Sequence, residues 1–80
     1  MSLSTERKRK SIFKIGENIK KWRNYQQIKE DVFAEMLHIN TNTLRKVENN
    51  KIKIGLLEIR IIAAQLQIGF KDLLREPATL

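Results

Sequence analysis

The 80-residue chain contains no cysteine, a single proline and only three glycines. Without cysteine it can form no disulfide, no thiolate metal site and no thiol nucleophile. It also has only one histidine, His38, so no second histidine or cysteine is present to share a metal ion or to build a catalytic pair. We therefore expect no bound metal, no cofactor and no enzymatic activity.

Long apolar runs are also missing. No apolar stretch approaches the roughly 20 residues that a membrane-spanning helix needs, and the basic N-terminal region contains no secretory hydrophobic segment. The lack of cysteine suits a reducing compartment. We therefore expect a soluble cytoplasmic protein with no membrane partner.

Negative charge is in short supply. The chain has sixteen Lys and Arg residues but only nine Asp and Glu residues, which gives a net charge of +7 and a pI near 10.1. The segment Glu6–Lys10 carries +3 of this excess and the rest of the chain carries +4, so the basic character extends beyond one terminus. Such a balance indicates a polyanionic partner, most often nucleic acid and sometimes an anionic membrane. A surface that is merely charged for solubility is the alternative.

Helical spacing of apolar residues is the main structural signal, and strand patterns are nearly absent. Five short apolar stripes follow one another, and a chain of this length forms one domain. Their members are Ile15, Ile19 and Trp22; Phe33, Ala34 and Leu37; Leu44 and Val47; Ile59, Ile62, Ala63 and Leu66; and Phe70, Leu73 and Leu74. The pattern predicts an all-α fold of five short helices, with Trp22 in the core.

Residues typical of helix ends separate the stripes. Asn40 is a favourable N-cap for the third helix, and Asn49–Asn50 tolerate the left-handed geometry that ends a helix. Gly55 and Gly69 precede the last two helices, and Pro77 stops the chain's helical pattern. We divide the chain into a flexible basic arm at residues 1–11, a helical domain at 12–76 and a tail at 77–80.

Two of the helices form a tight corner. The first is predicted at Glu30–Leu37 and the second at Thr41–Asn49, with His38–Asn40 as the turn, and two helices joined by so short a turn are typical of DNA-binding proteins. The small side chain of Ala34 suits the close crossing of the helices. Three further apolar residues have the spacing needed to face the shared core: Ile39, Leu44 and Val47.

From about residue 15 to 74 the sequence resembles the lambda-repressor/Cro-like, or XRE-type, helix-turn-helix proteins. The segment "IGENIKKWR" is similar to the family's first helix, "FAEMLHINTNTLRKVEN" to its helix-turn-helix, and "EIRIIAAQLQIGFKDLL" to its fourth and fifth helices. The resemblance implies a compact five-helix fold and a prokaryotic transcriptional regulator that binds double-stranded DNA. It also implies a structural ion pair between Arg23 and Glu48.

The chain departs from the family at several positions. Glu30 stands where the family usually has a glutamine that approaches a DNA phosphate, and Ile54 replaces a frequent proline. His38, Asn50 and Gln67 replace glycines. Histidine and asparagine are enriched among non-glycine residues with positive φ, so we expect positive φ at His38 and Asn50, whereas Gln67 has no such explanation.

The predicted third helix offers residues for reading DNA. A recognition helix lies in the major groove with its N-terminal residues at base edges, and the side chains placed for base contact are Thr41, Asn42, Arg45 and Lys46. Phosphate contacts are predicted for Lys29, for Glu30 through its backbone N–H, and for Lys51 and Lys53. The basic residues Arg7–Lys10 either follow a groove or form a solubilising tail. The alternative for the helix is a solvated polar face without a ligand.

Several apolar residues are left over once the five helices are accounted for. They are Ile52, Ile54, Leu57 and Ile61. Together with the last helix they predict a homodimer interface, which would suit a palindromic operator; alternatively, some of them fold back onto the core. These residues and Glu30 also leave open a second function, a protein-interaction module of the same fold, such as an antitoxin or adaptor. The net charge and the Arg45–Lys46 pair favour DNA binding instead.

Overall fold

The computed structural model describes residues 15–77, which form five α-helices and no strand in that range. The helices are α1 (Ile15–Tyr25), α2 (Glu30–Met36), α3 (Thr41–Glu48), α4 (Leu56–Gln65) and α5 (Phe70–Leu73). The predicted all-α class and the helix order are confirmed. The basic arm predicted at 1–11 lies outside the described residues, as do residues 12–14 and 78–80.

The core lies where α1 and α2 pack on α3, and where α5 packs on α1 and α4. Five large side chains are fully enclosed there: Phe33, Ile19, Leu44, Leu66 and Leu73. Each contributes about 1.5–3 kcal/mol through burial. Trp22 is 3% exposed and belongs to the same cluster, as predicted. Leu74 was predicted on the core stripe, but its side chain is 44% exposed. Helix α5 has only one turn, so Leu73 takes its buried face and Leu74 points away.

Four helices end in the same hydrogen-bonded turn, which uses no glycine. Gln27, His38, Asn50 and Gln67 have φ values between 59° and 61°. In each turn the next residue donates its N–H to a carbonyl five residues back, as in Ile39 to Ala34 at 3.0 Å, which defines a Schellman motif. The expectation of positive φ at His38 and Asn50 is confirmed. Gln67 adopts the same geometry, and Gln27 adopts it without having been predicted to.

The residues that follow these turns extend the core. Ile28, Ile39 and Ile68 come directly after three of the left-handed residues, and all three pack against the buried cluster. A hydrophobic contact of this kind commonly accompanies a Schellman motif. Burial of the isoleucine therefore helps to offset the conformational cost of the left-handed residue before it.

Helix α1 approaches the end of α3 closely, and Gly16 makes this possible. A Cβ atom at Gly16 would lie 2.1 Å from the backbone oxygen of Val47, which no side chain tolerates. The Gly16 N–H also donates to the Asn50 side-chain oxygen at 2.9 Å. Gly16 and Asn50 therefore fix the start of α1 against the end of the helix that carries the predicted base contacts.

Side chains of α1 also satisfy carbonyls at the ends of later helices. The Trp22 Nε1–H donates to the Asp72 and Arg75 carbonyls at 3.1 and 2.9 Å, and Asn18 donates to the Leu73 carbonyl at 3.1 Å. Gln26, which directly follows α1, donates to the Leu66 carbonyl at 2.7 Å. Helix-terminal carbonyls lack partners within their own helix, so α1 stabilises the C-terminal end of α5 and the residue after α1 stabilises that of α4.

Candidate nucleic-acid interface

The corner between α2 and α3 is formed by residues 37–40. Helix α2 ends at Met36 and α3 at Glu48, one residue earlier than predicted in each case, because Leu37 and Asn49 act as C-caps. Asn40 caps α3 as predicted, and its side-chain oxygen accepts the Thr43 N–H at 2.7 Å. The cap satisfies one of the free amides of the first turn of α3 and so sets where the helix begins.

Helix α3 has one buried and one exposed face. Leu44, Val47 and Glu48 are 0%, 7% and 3% exposed and hold the inner face against the core. Of the four predicted base-contact residues, Asn42, Arg45 and Lys46 are exposed and Thr41 is half-buried. The helix therefore presents a polar and basic outer surface whose orientation is fixed by its apolar inner residues.

A buried ion pair sets the position of the end of α3. Arg23 of α1 donates from Nε to Glu48 Oε2 at 2.7 Å and from Nη2 to Oε1 at 3.1 Å. Its remaining nitrogen, Nη1, donates to the Ile28 carbonyl at 2.8 Å. The two side chains are only 5% and 3% exposed. The family resemblance implied an Arg23–Glu48 pair, and its two-point geometry makes the pair a rigid link between α1 and α3.

A second ion pair crosses the corner on its outer side. Arg45 of α3 donates from Nη2 to Glu30 Oε1 at 3.2 Å and from Nε to the same carboxylate at 3.3 and 3.4 Å. The Arg45 hydrogen bond is the main cause that lowers the pKa of the Glu30 carboxyl below its usual value. Both groups are partly exposed, at 57% and 36%.

Sequence reasoning missed this second pair. The sequence predicted a base contact for Arg45 and a phosphate contact for the backbone N–H of Glu30, and it predicted no partner for the Glu30 carboxylate. The structure instead brings the two side chains together across a separation of 15 residues. The available signal was the pair of opposite charges on two helices already predicted to meet at a tight corner.

Basic residues flank the exposed face of α3. Lys29 precedes α2, and Lys51 and Lys53 follow α3; all three are exposed. Lys51 and Lys53 also border a cavity of about 240 Å³ beside the end of α3, which Ile15 and Val47 line from the core side. The lysines predicted to contact phosphate therefore lie at both ends of the corner.

An apolar patch lies next to this basic surface. Leu57, Ile61 and Ile52 are 69%, 49% and 38% exposed, as an interface requires. Ile54 is only half-buried and packs against the core, so it contributes in part to folding. Leu56 is 59% exposed but was not included in the predicted interface. Ile52, Ile54 and Ile61 border a groove of about 340 Å³.

Residues 15–77 contain neither a candidate metal site nor a candidate membrane-spanning helix. No group of three or more His, Cys, Asp or Glu side chains in this range is arranged to hold a metal ion. None of the five helices is both long and apolar enough to span a bilayer.

The chain matches no protein-family model, and comparison with curated proteins and with solved structures returned no significant match. Function is therefore inferred from the residues and their arrangement.

Proposed function

We propose that the protein is a sequence-specific, double-stranded DNA-binding transcriptional regulator with a lambda-repressor/Cro-like helix-turn-helix fold. The observation that carries this proposal is the outer face of α3. Asn42, Arg45 and Lys46 are exposed there, while Leu44, Val47 and Glu48 anchor the opposite face in the core. A short helix after a tight turn, polar and basic outward and rigidly seated inward, is what major-groove recognition needs.

The side chains on this face match the chemistry of base edges. Asparagine can bond both N6 and N7 of adenine, and arginine or lysine can bond O6 and N7 of guanine. Each well-placed contact discriminates between bases by roughly 1–3 kcal/mol. The major groove is about 12 Å wide and admits an α-helix, whose diameter with side chains is about 10–12 Å. Asn42 and Lys46 therefore serve as the central reading residues, with Thr41 and Arg45 beside them.

Lysines at both ends of the corner support binding to the backbone of the duplex. Lys29, Lys51 and Lys53 are exposed, and in this proposal they contact phosphates on either side of the groove. Such contacts fix the position of the protein without reading sequence. The net charge of +7 attracts the protein to DNA over a longer range.

The proposed regulator acts in a prokaryotic cytoplasm as a homodimer on a palindromic operator. The patch formed by Leu57, Ile61, Ile52 and the exposed part of Ile54 supplies the dimer interface, with a contribution from the region of α5. Two α3 helices would then read half-sites about 10 base pairs apart. Occupation of the operator by the dimer is the regulatory event.

A second function is favoured by one observation. The Glu30–Arg45 pair places a carboxylate beside one of the proposed reading residues, and a carboxylate repels phosphate. Together with the exposed apolar patch, this arrangement suits a protein-interaction module of the same fold, such as an antitoxin or adaptor.

The deciding experiment is selection from a pool of DNA duplexes with a randomised centre, followed by affinity measurements across a salt series. We expect the wild-type protein to enrich one sequence. We expect Asn42→Ala/Lys46→Ala to lose that preference, because both base contacts are removed. The logarithm of affinity should fall with the logarithm of salt concentration, with a slope of about −0.9 per phosphate contact.

Lys21→Ala provides the matched control. It removes one exposed positive charge from α1, where Lys21 pairs with Glu76, so the sequence preference should remain. Equal affinity for all duplexes, unchanged by the double substitution, would overturn the regulator and leave the interaction module as the better explanation.

A further inference from the structure

The ion pair between Glu30 and Arg45 occupies only one edge of the guanidinium group. The Nε and Nη2 atoms face the carboxylate at 3.2–3.4 Å. Among the described residues Nη1 has no hydrogen-bond partner, and one donor of Nη2 also remains. The side chain of Arg45 is 57% exposed. The carboxylate therefore holds the Nε–Nη2 side of the Arg45 guanidinium, and the Nη1–Nη2 end is open to a ligand.

The open end is the part of the guanidinium that recognises guanine. Two parallel N–H donors, one from Nη1 and one from Nη2, match the adjacent acceptors O6 and N7 on the major-groove edge of guanine. A free arginine side chain samples many rotamers, and ordering it opposes binding. A carboxylate that already holds the Nε–Nη2 edge reduces this loss and fixes the direction of the free donors.

Glu30 is itself held in a defined position. It occupies the first turn of α2, and Phe33 and Ala34 of the same helix are 0% and 2% exposed in the core. Arg45 follows Leu44, which is fully buried in α3. The backbones that carry both partners are therefore fixed by packing, and the pair relates one rigid helix to the other.

We infer that Glu30 is a positioning residue that orients Arg45 for recognition of guanine, and thereby determines specificity at one base pair of the DNA site. The inference rests on the proposed DNA-reading function and deepens it. It also gives the Glu30 carboxylate two separable effects. Its charge lowers affinity for any duplex by repelling phosphates, while its hydrogen bonds raise the selectivity of Arg45. General affinity and selectivity should therefore change in opposite directions when the carboxylate is removed.

The test uses the duplex that the wild-type protein enriches from a randomised pool, together with single-base variants of that duplex. Arg45→Ala first identifies the position at which Arg45 reads guanine, where the wild type should discriminate by roughly 5- to 150-fold. Glu30→Ala should reduce discrimination at that same position by at least about fivefold. Its affinity for poly(dA-dT), which contains no guanine, should rise, because a negative charge that repels phosphate is removed. In the Arg45→Ala background, Glu30→Ala should not change the discrimination between bases at any position of the duplex.

Asp31→Ala is the matched control for charge. Asp31 neighbours Glu30 on the same helix and is exposed, but its carboxylate accepts the Val32 N–H and does not bond Arg45. Asp31→Ala should leave discrimination at every base unchanged. Glu30→Gln, which keeps one acceptor oxygen, should lie between wild type and Glu30→Ala. Without DNA, the Arg45 Nε–H cross-peak in a ¹H–¹⁵N NMR spectrum should shift in Glu30→Ala, because its hydrogen bond to the carboxylate is lost. This readout is independent of DNA binding.

The possible failures are distinguishable. If the wild type enriches a sequence with a guanine read by Arg45, but Glu30→Ala retains full discrimination there, the inference is overturned and the proposed function stands. Tighter binding of Glu30→Ala to every duplex with selectivity retained would likewise overturn it, because Glu30 would then only repel DNA. If the wild type enriches no sequence, the proposed function fails and the inference fails with it.

Discussion

Four residues with left-handed backbone geometry follow the ends of four helices, and each of them has a conformational cost. A non-glycine residue with φ near 60° is strained by about 1–2 kcal/mol relative to the right-handed region, and Gln27, His38, Asn50 and Gln67 all have this geometry. In return, each turn forms two backbone hydrogen bonds, and three of the four direct an isoleucine onto the core. At the scale of single residues, tertiary packing overrides the preference of a non-glycine residue for negative φ.

His38 provides the clearest test of this balance. We expect His38→Gly to raise the free energy of unfolding by up to about 1 kcal/mol, because glycine adopts positive φ without strain from a Cβ atom, an effect partly offset by its greater freedom in the unfolded chain. His38→Val should lower the free energy of unfolding by about 1 kcal/mol or more, since β-branched residues strongly disfavour this region. Urea unfolding followed by circular dichroism measures both changes.

Glu35 supplies the control for the glycine substitution. It is exposed and lies inside α2, where the backbone is right-handed, so Glu35→Gly should destabilise the protein by about 1 kcal/mol. A His38→Gly variant that loses as much stability as Glu35→Gly would show that the imidazole contributes more than the backbone geometry suggests.

At the scale of helices, two ion pairs hold α3 in different ways. The inner pair, Arg23–Glu48, is buried and has every guanidinium nitrogen bonded. The outer pair, Glu30–Arg45, is partly exposed, so water and salt weaken it. The inner pair therefore belongs to the folded framework, whereas the outer pair lies at the surface and leaves the Nη1 end of Arg45 open.

We expect Arg23→Met to destabilise the protein by about 3–5 kcal/mol, because Glu48 would remain buried without its partner. The double substitution Arg23→Met/Glu48→Met should recover much of this loss, since a buried pair replaced by apolar side chains of similar volume is often close to neutral. Thermal and urea unfolding of the two single variants and the double variant give the coupling free energy.

The exposed pair between Lys21 and Glu76 serves as the control. Its side chains are 47% and 54% exposed, so Lys21→Met should change stability by no more than about 0.5 kcal/mol. If Arg23→Met also falls within that range, the inner pair is not the rigid link between α1 and α3 that its geometry indicates.

At the scale of the whole molecule, the surface is divided between a basic face and an apolar patch. The outer face of α3 and the lysines beside it form the first. The second consists of Leu57 and Ile61 on α4 and of Ile52 in the loop before it. The proposed homodimer would use this patch as its interface, because an exposed apolar patch suits contact with another protein surface.

We expect Leu57→Glu to weaken self-association by roughly tenfold or more, because burial of a leucine contributes about 1.5–3 kcal/mol and a carboxylate would take its place in the interface. The fold should persist, since Leu57 is 69% exposed and makes little contribution to the core. Analytical ultracentrifugation at tens of micromolar, with and without DNA, measures the change.

Val32 is the matched control for the dimer prediction. It is an apolar residue that is 45% exposed on α2, outside the patch, so Val32→Glu should leave self-association unchanged. A wild-type protein that sediments only as a monomer in both conditions would refute the homodimer.

Periodicity and capping chemistry made much of the fold predictable. The stripe residues from Ile15 to Leu66 marked four helices, and Asn40 marked the start of α3, because helical spacing and caps are local properties that a short segment carries by itself. Asn42, Arg45 and Lys46 could likewise be placed on the exposed face, since Leu44 and Val47 define the opposite one. Gln27 could not be foreseen, because glutamine has no marked preference for positive φ and the geometry follows from packing of Ile28.

The amino-acid sequence by itself therefore determined the helical class, the order of the helices, the polar face of α3 and the excess of positive charge, all of which depend on residue type and short-range spacing. Only the tertiary structure decided which distant residues meet. It brought Gly16 against Val47, it left Leu74 exposed on a single-turn helix, and it joined Glu30 to Arg45. Such contacts depend on the angle and distance at which helices pack, and these are set by the whole core at once.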